Sequence, residues 1–462
     1  MSIINIYMIL LMLLSISSYF YGRNFIKTKT FVSTEKQHSK DTYHGAFISL
    51  YLILPSIIFL SLWVIISPNI INELLTIKVI SIYGDGLGID ELKILKSQII
   101  ALSKGVLSAD NLSSEISLIS DYYSYIQIIS KKIYIIFSCV GSATAFLYAR
   151  KKIAIRFNAR ANVEIIIKLI MMLASLIAIL TTVGIIISLV VETIRFFGII
   201  NVADFLFGLK WSPQIAMRAD QVANEGLFGA IPLFAGTLMI TTIAMIVAVP
   251  IGLMTAVYLS EYASNVVRSI AKPALEILAG IPTVVYGFFA ALTVAPFLRN
   301  NGADLGLTLS SESALAAGLV MGIMIIPLIS SLSDDVINAV PQSLREGSAA
   351  LGSTKSETVK KVILPAALPG IVSAILLAVS RAIGETMIVV MAAGVTANLT
   401  ANPFESVTAV TVQIVVLLVG DQEFDSAKTL AAFALGFTLF IITLGLNILS
   451  IYIIRRYREQ YD

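Results

Sequence analysis

Apolar runs free of charge recur along the chain at lengths that suit helices crossing about 30 Å of hydrocarbon, which takes about 20 residues. They lie at about 2–21, 46–67, 133–149, 169–191, 227–260, 277–298, 313–333 and 429–454. A ninth, about 366–392, is apolar apart from Arg381 and Glu385. Each predicts a membrane-spanning helix. A further apolar run, 406–420, follows Asn402-Pro403 and is too short for a span, so an interfacial or re-entrant segment is expected there. The first run has the length of a signal peptide, but no charge precedes it and Arg23, Lys27 and Lys29 follow it. A retained helix with its N-terminus outside is the expectation.

The polar segments between the runs set the orientation, because short loops rich in Lys and Arg stay cytoplasmic. Residues 22–45 carry Arg23, Lys27, Lys29, Lys36 and Lys40 against Glu35 and Asp41. Residues 150–164 carry Arg150, Lys151, Lys152, Arg156 and Arg160 against Glu164 alone, and the C-terminus carries Arg455, Arg456 and Arg458. All three fall on one side if nine helices cross. The opposite segments are balanced or acidic, as at Asp421, Glu423 and Asp425 against Lys428. Nine spans with the N-terminus outside and the C-terminus cytoplasmic satisfy the rule.

Composition agrees. Apolar residues make up 57% of 462 and charged residues 13%, against about 45–50% and 25% in soluble proteins, and the mean hydropathy is +0.89. So few charges cannot cover a soluble protein of this size. Secreted, nucleic-acid-binding, disordered and ordinary cytosolic enzyme classes are excluded. With 32 Lys and Arg against 29 Asp and Glu, the net charge of +3 points to no polyanionic partner. The single cysteine, Cys139, forbids an intramolecular disulfide and a cysteine metal cluster. His38 and His44 lie near the start, where a loop or interfacial place is expected and a metal or acid–base role is not.

Two parts are visible. Residues 1–160 hold three spans and a mixed-charge external loop at about 68–132, whose Gly84-Asp85-Gly86-Leu87-Gly88 run reads as a turn. Residues 161–462 hold six spans and every proline except Pro55 and Pro68. Pro250, Pro282, Pro296 and Pro327 lie in or at the ends of spans, where freed carbonyls are tolerable only against protein or a water-lined path. That enrichment points to a transporter core.

Between the spans ending near Ser333 and starting near Ala366 lies a polar loop, about 334–365, on the expected cytoplasmic side. It contains Leu344-Arg345-Glu346-Gly347-Ser348-Ala349-Ala350-Leu351-Gly352, then nine residues, then Val362-Ile363-Leu364-Pro365. The pattern suits a helix ended by Gly352, a second short helix, and a break at Pro365. This segment resembles the "EAA" loop of ATP-binding-cassette (ABC) importer permeases, Glu-Ala-Ala-x3-Gly-x9-Ile-x-Leu-Pro. Glu346, Gly352, Leu364 and Pro365 match in spacing; Gly347 and Ser348 replace the two alanines and Val362 the isoleucine. The resemblance implies an all-α integral membrane fold, a six-helix importer core preceded by three N-terminal helices. It further implies a coupling helix seated in a cleft of a cytoplasmic ATPase, so that a bulky change such as Gly352→Asp is expected to uncouple hydrolysis from transport. No Gly-x4-Gly-Lys-Ser/Thr phosphate loop occurs in the sequence, so the ATPase, with its ATP and Mg, is expected on a separate subunit, with no cofactor in this chain.

Arg381 and Glu385 each cost about 2.5–3.5 kcal/mol at mid-span. Spaced i,i+4, they can share a helix face and pair. One reading is a buried ion pair that packs the bundle; the other is an anion path, in which the permanently charged planar guanidinium matches phosphate oxygens and Glu385 keeps the free site from trapping an anion. Arg381-Ala382-Ile383-Gly384-Glu385-Thr386-Met387 resembles the Arg-Ala-x-Gly-Glu-Thr run of phosphate-importer permeases. Ile281-Pro282-Thr283-Val284-Val285-Tyr286-Gly287-Phe288 resembles their third core helix, and Phe205-Leu206-Phe207-Gly208-Leu209-Lys210-Trp211-Ser212-Pro213 the first external loop of the PstC type rather than PstA. The resemblance covers about 160–462, with 1–160 similar to an N-terminal extension of longer PstC-type subunits. It implies a bacterial inner-membrane phosphate importer with a PstA-like second permease, two PstB-like ATPase subunits and a periplasmic PstS-like binding protein. Arg381 would meet phosphate in transit. Asp334 and Asp335 are expected to be solvated helix-end charges, and Lys168 to snorkel. The rivals are an importer of sulfate or molybdate on the same core, an ion-driven secondary transporter working alone, and a membrane enzyme, which would lack a His, Cys or carboxylate constellation at membrane depth.

Overall fold

A computed structural model of the chain describes residues 3–32, 37–84, 88–107, 113–213, 226–304, 306, 310–419 and 426–457. The Asp85–Leu87 part of the glycine-rich turn, the acidic positions 421, 423 and 425, and Arg458 lie outside them. The chain divides into two compact units, Met1–Leu180 and Thr181–Asp462. This division falls inside a long helix, where the sequence reading set a boundary at 160/161.

The first unit is built on α1 (Ile3–Val32), α2 (Asp41–Tyr83) and α4 (Ser114–Lys152), with α3 (Ile89–Ser103) against α4, and α5 (Ala159–Phe197) begins at its end. Water is not available to drive apolar helices together in lipid, so small residues and interhelical hydrogen bonds do so. A Cβ on Gly45 would stand 2.6 Å from the Tyr19 carbonyl of α1. Tyr7 meets Ser138 at 2.7 Å, and Ser56 meets Ser138 at 2.6 Å and Ser142 at 2.8 Å, tying all three helices through hydroxyls. Residues 68–132, expected as a loop, are mostly helical. The 43-residue α2 outruns the bilayer and carries its apolar face on: Leu75 and Val79 pack against Ile99, Ile116 and Ile119. The mixed charge of that segment marks the solvated faces of these helices. His44, expected in a loop or at an interface, is buried one turn into α2 against the Phe157 ring; α2 begins at Asp41, before the hydrophobic run does.

In the second unit, α6 (Val202–Phe207) and the short hairpin β1 (Trp211–Ser212) and β2 (Leu227–Phe228) precede α7 (Ile231–Val257), which runs into a π-helical turn at Tyr258–Tyr262. α8 (Asn265–Ala279), α9 (Thr283–Phe289) and α10 (Ala295–Asp304) follow, then α11 (Ala314–Asn338). Next come α12 (Gln342–Ala350), α13 (Lys355–Thr358), α14 (Leu364–Ile383), α15 (Met387–Ala392), α16 (Val410–Leu418) and α17 (Ala427–Tyr457). α11 is central, with α7 pressed along it. A Cβ on Gly318 would stand 2.7 Å from Ile243 Cβ, and one on Gly322 2.9 Å from the Ala244 carbonyl.

Among the described residues, eight helices are long and apolar enough to cross a membrane. The ninth crossing exists only if Asn265–Ala279 and Thr283–Asp304, bent by 86°, count as one. The span expected at 277–298 straddles that bend. Pro282 lacks an N–H and disfavours helical backbone at Ile281, so one helix ends at Gly280 and another starts at Thr283. The span expected at 366–392 also stops early, at Ile383. The nine-residue α16 is too short to cross, as the run at 406–420 suggested. It packs on α17, and its Gln413 accepts the Trp211 indole N–H at 2.9 Å while donating to the Val395 carbonyl at 2.7 Å.

Candidate functional site

The loop 334–365 folds as the sequence pattern suggested, helix–turn–helix. α12 ends in a turn where Gly352 takes φ +84°, a conformation that glycine adopts without the Cβ penalty. Glu346 is exposed, as are Gly347, Ala349 and Ala350, and Leu351 is 88% exposed, an apolar side chain held out into open space. The opposite face is anchored: Ser348 and Thr358 share a 2.9 Å hydrogen bond, and Thr354 caps α13 reciprocally with Glu357. Leu364 and Pro365 begin α14 instead of breaking the chain. The N–H that proline lacks is accommodated by a π-helical turn at Val359–Ile363 immediately before it, so Lys355–Ile383 forms one continuous helix.

Arg345, beside Glu346, ties α12 to the transmembrane helices. Its Nη2 donates to Glu261 Oε1 at 3.0 Å and its Nε to the same oxygen at 3.2 Å. It also donates to the Ile337 carbonyl at 2.8 Å, in the last turn of α11, and to the Val340 carbonyl just past that helix. Glu261 sits in the π-helical turn that ends α7. One guanidinium therefore joins the exposed helix to the ends of the two central helices.

α8, α9, α11 and α14 line a partly open cavity of about 300 Å³. Its lining includes Lys272, Glu276, Thr283, Ser330, Asp334 and Arg381. Arg381 stands in the last turn of α14, where a cation suits the helix dipole. Its side chain is exposed on the surface of the chain. Glu385 does not join it. Gly384 ends α14, and Glu385 turns back to accept the Met387 N–H at 3.2 Å, starting α15, while its own carbonyl accepts from Thr411 at 2.8 Å. Among the described residues no ion pair links Arg381 to Glu385. The i,i+4 spacing implied a pair only while the helix was continuous.

Asp334 corrects the expectation of a solvated helix-end charge. α11 continues a full turn past it to Asn338, and Asp334 is 2% exposed. Arg268 Nη2 donates to both of its oxygens at 3.1 Å, Lys272 Nζ at 3.0 Å and Asn338 Nδ2 at 2.9 Å. Asp335 is solvated as expected, with its side chain 64% exposed. The signal for this cluster is in the sequence. Arg268 and Lys272 stand i,i+4 on one helix, and Asp334 and Asn338 stand i,i+4 on another, two complementary faces that only tertiary structure brings together. Among the described residues no group of three or more His, Cys, Asp and Glu side chains could hold a metal ion.

Residues 248–459 match the family described as binding-protein-dependent transport system inner membrane component, and residues 8–181 match one described as phosphate ATP-binding cassette transporter. A probable ABC transporter permease protein, YqgH of Bacillus subtilis (strain 168), is 32% identical over 278 residues, 60% of this chain and 86% of that protein. The phosphate transport system permease protein PstC of Haemophilus influenzae is 34% identical over 44% of this chain and 66% of its own length. PstC 1 of Mycobacterium tuberculosis is 33% identical over 36% of this chain and 55% of its own length. The chain thus spans between about half and two thirds of the PstC relatives it matches. A solved inward-facing MetNI methionine ABC transporter is similar at 20% identity over 50% of this chain and 95% of the other, with a TM-score of 0.37.

Proposed function

The chain belongs to the ABC permease family of binding-protein-dependent inner membrane components, and from that premise we propose that it is the PstC-like half of an ATP-driven phosphate importer. The observation that carries the reading is the presence, in one unit, of an exposed helix α12 anchored by Arg345 to the ends of α7 and α11 and of a cavity lined by Arg381. The names of the relatives, and the phosphate family matched over 8–181, support phosphate as the cargo.

In this reading the chain lies in a bacterial inner membrane with its N-terminus outside and its C-terminus cytoplasmic, as its Lys and Arg distribution favours. A PstA-like permease completes the pathway, two PstB-like subunits bind ATP and Mg, and a PstS-like periplasmic protein delivers phosphate. The chain catalyses no covalent step. ATP binding closes the ATPase dimer, which pushes on the surface formed by Glu346, Gly347, Ala350 and Leu351. Arg345 passes that displacement to the ends of α7 and α11, the two helices packed most closely in the core. Leu364 and Pro365 carry it into α14, whose last turn holds Arg381. The cavity turns outward to receive phosphate, and hydrolysis resets it. Arg381 offers a planar fork of donors to the passing oxyanion, and Glu385 fixes the break from which that turn projects.

Uptake of radiolabelled phosphate into proteoliposomes holding this chain with its co-encoded subunits, binding protein outside and ATP inside, tests the assignment. ATP-dependent uptake that resists sulfate and molybdate is the expected result. ATP-driven uptake of another oxyanion sinks the substrate, and uptake without ATP sinks the coupling.

A further inference from the structure

We propose that Lys272 is a second cation of the anion path, meeting the tetrahedral oxyanion together with Arg381. This deepens the reading of the chain as an oxyanion permease and rests on it.

Lys272 on α8 and Arg381 on α14 line the same cavity from different helices. The charges around it do not simply cancel. Asp334 already receives Arg268 on both oxygens, besides Lys272 and Asn338. Those contacts fill the roughly four acceptor sites of a carboxylate. Arg268 is absent from the cavity lining, so it neutralises Asp334 from behind. With that pair set aside, two cations, Lys272 and Arg381, face one anion, Glu276, one turn along α8. Asp335 also meets Lys272, at 3.5 Å, but it is largely in solvent, where such a contact is weak and screened.

An ammonium carries three donors. Asp334 takes one at 3.0 Å and Asp335 one at 3.5 Å, which leaves a third for the cavity, and the Lys272 side chain is 35% exposed and reachable. Asp334 therefore acts as a tether that fixes Lys272 at the wall without consuming its charge. The two cations suit different tasks. The rigid fork of Arg381 orients oxygens, while the ammonium is a rotatable point charge that can follow an ion changing orientation. Glu276 opposes both, which favours passage over trapping. Thr283 and Ser330 add neutral hydroxyl donors to the same wall.

The test uses the complete complex in proteoliposomes, with phosphate as the probe and anion uptake per ATP hydrolysed as the readout. Lys272→Gln is expected to lower that ratio about tenfold or more, the effect of losing one hydrogen bond from a charged group. Lys272→Arg is expected to recover most of it because the charge is kept. If K272Q fails to assemble, K272C in a Cys139→Ser background is labelled after assembly with an aminoethyl or a neutral thiol reagent, and only the cationic label should restore transport. Parent-like uptake by K272Q, a K272R variant as impaired as K272Q, or equal rescue by both labels overturns the proposal. A parent complex that carries sulfate or molybdate instead of phosphate overturns the substrate assignment alone, and Lys272 is then judged on that anion by the same comparisons.

Discussion

Replacing Arg345 by alanine should cut the mechanical link between the exposed helix and the membrane core. The side chains of Arg345 and Glu261 are only 17% and 10% exposed, and removing one partner of a buried ion pair costs about 3–5 kcal/mol because the other charge is left unpaired. The remaining solvent contact argues for the lower end, about 3 kcal/mol, a factor of roughly 100 in the population of the anchored loop. The Val340 carbonyl loses the guanidinium donor in the same step, while the Ile337 carbonyl keeps the Val340 N–H. The loop does not fall away, because Ser348–Thr358 and the packing of Val340, Val359 and Ile363 persist. The expected phenotype is ATP hydrolysis with uptake per ATP reduced at least several-fold. Glu261→Gln should be milder, since its amide oxygen still accepts from the guanidinium. The charge swap R345E/E261R should not restore coupling, because a glutamate at 345 cannot donate to the two carbonyls. Parent-like uptake per ATP in an assembled R345A complex refutes the reasoning. So does a stability cycle on R345M and E261M that is additive within about 0.3–0.5 kcal/mol, the scatter expected of independent sites.

Gly352→Val should uncouple hydrolysis from transport, since its φ of +84° costs an L-residue about 1–2 kcal/mol; transport per ATP in proteoliposomes reads it. Gly352→Asp, the change favoured on bulk alone, should be the gentler, because a Cβ there meets nothing within 4 Å and Asp tolerates this backbone better than Val. Asp334→Ala should destabilise the detergent-solubilised complex strongly while Asp335→Ala leaves its melting temperature nearly unchanged, the contrast between a buried carboxylate holding three side chains and a solvated one. Gly318→Leu should lower the same melting temperature by overpacking α7 on α11, at about 1–3 kcal/mol.

Much of the molecule was readable along the chain because membrane insertion writes itself in composition. Span length and loop charge depend on single residues and their immediate neighbours, so the long helices and the helix–turn–helix of 334–365 could be found by counting. The extent of α2 and α4 could not, because beyond the apolar run their helical faces are held by Leu75, Val79, Ile99 and Ile119, partners distant in sequence. Asp334 was missed for a related reason: its charge looked solvated beside Asp335, and only the opposing face of α8 removes it from water. Glu385 was misplaced because i,i+4 arithmetic presumes an unbroken helix.

The two places where span counting failed are informative in themselves. One chain break lies at Gly280–Pro282 and the other at Gly384–Thr386, and the segments that follow them, α9 and α15, pack together: a Cβ on Gly287 would stand 3.1 Å from the Met387 carbonyl. Residues next to the breaks, Thr283 after the first and Arg381 before the second, line one cavity. Unpaired backbone groups at membrane depth are tolerable only against protein or a watered space. Two breaks that border a single cavity can satisfy that requirement with one shared space. Glu385 meets part of that requirement by taking the Met387 N–H. Its place follows from the break it stands in, where it caps the start of α15 instead of pairing with Arg381.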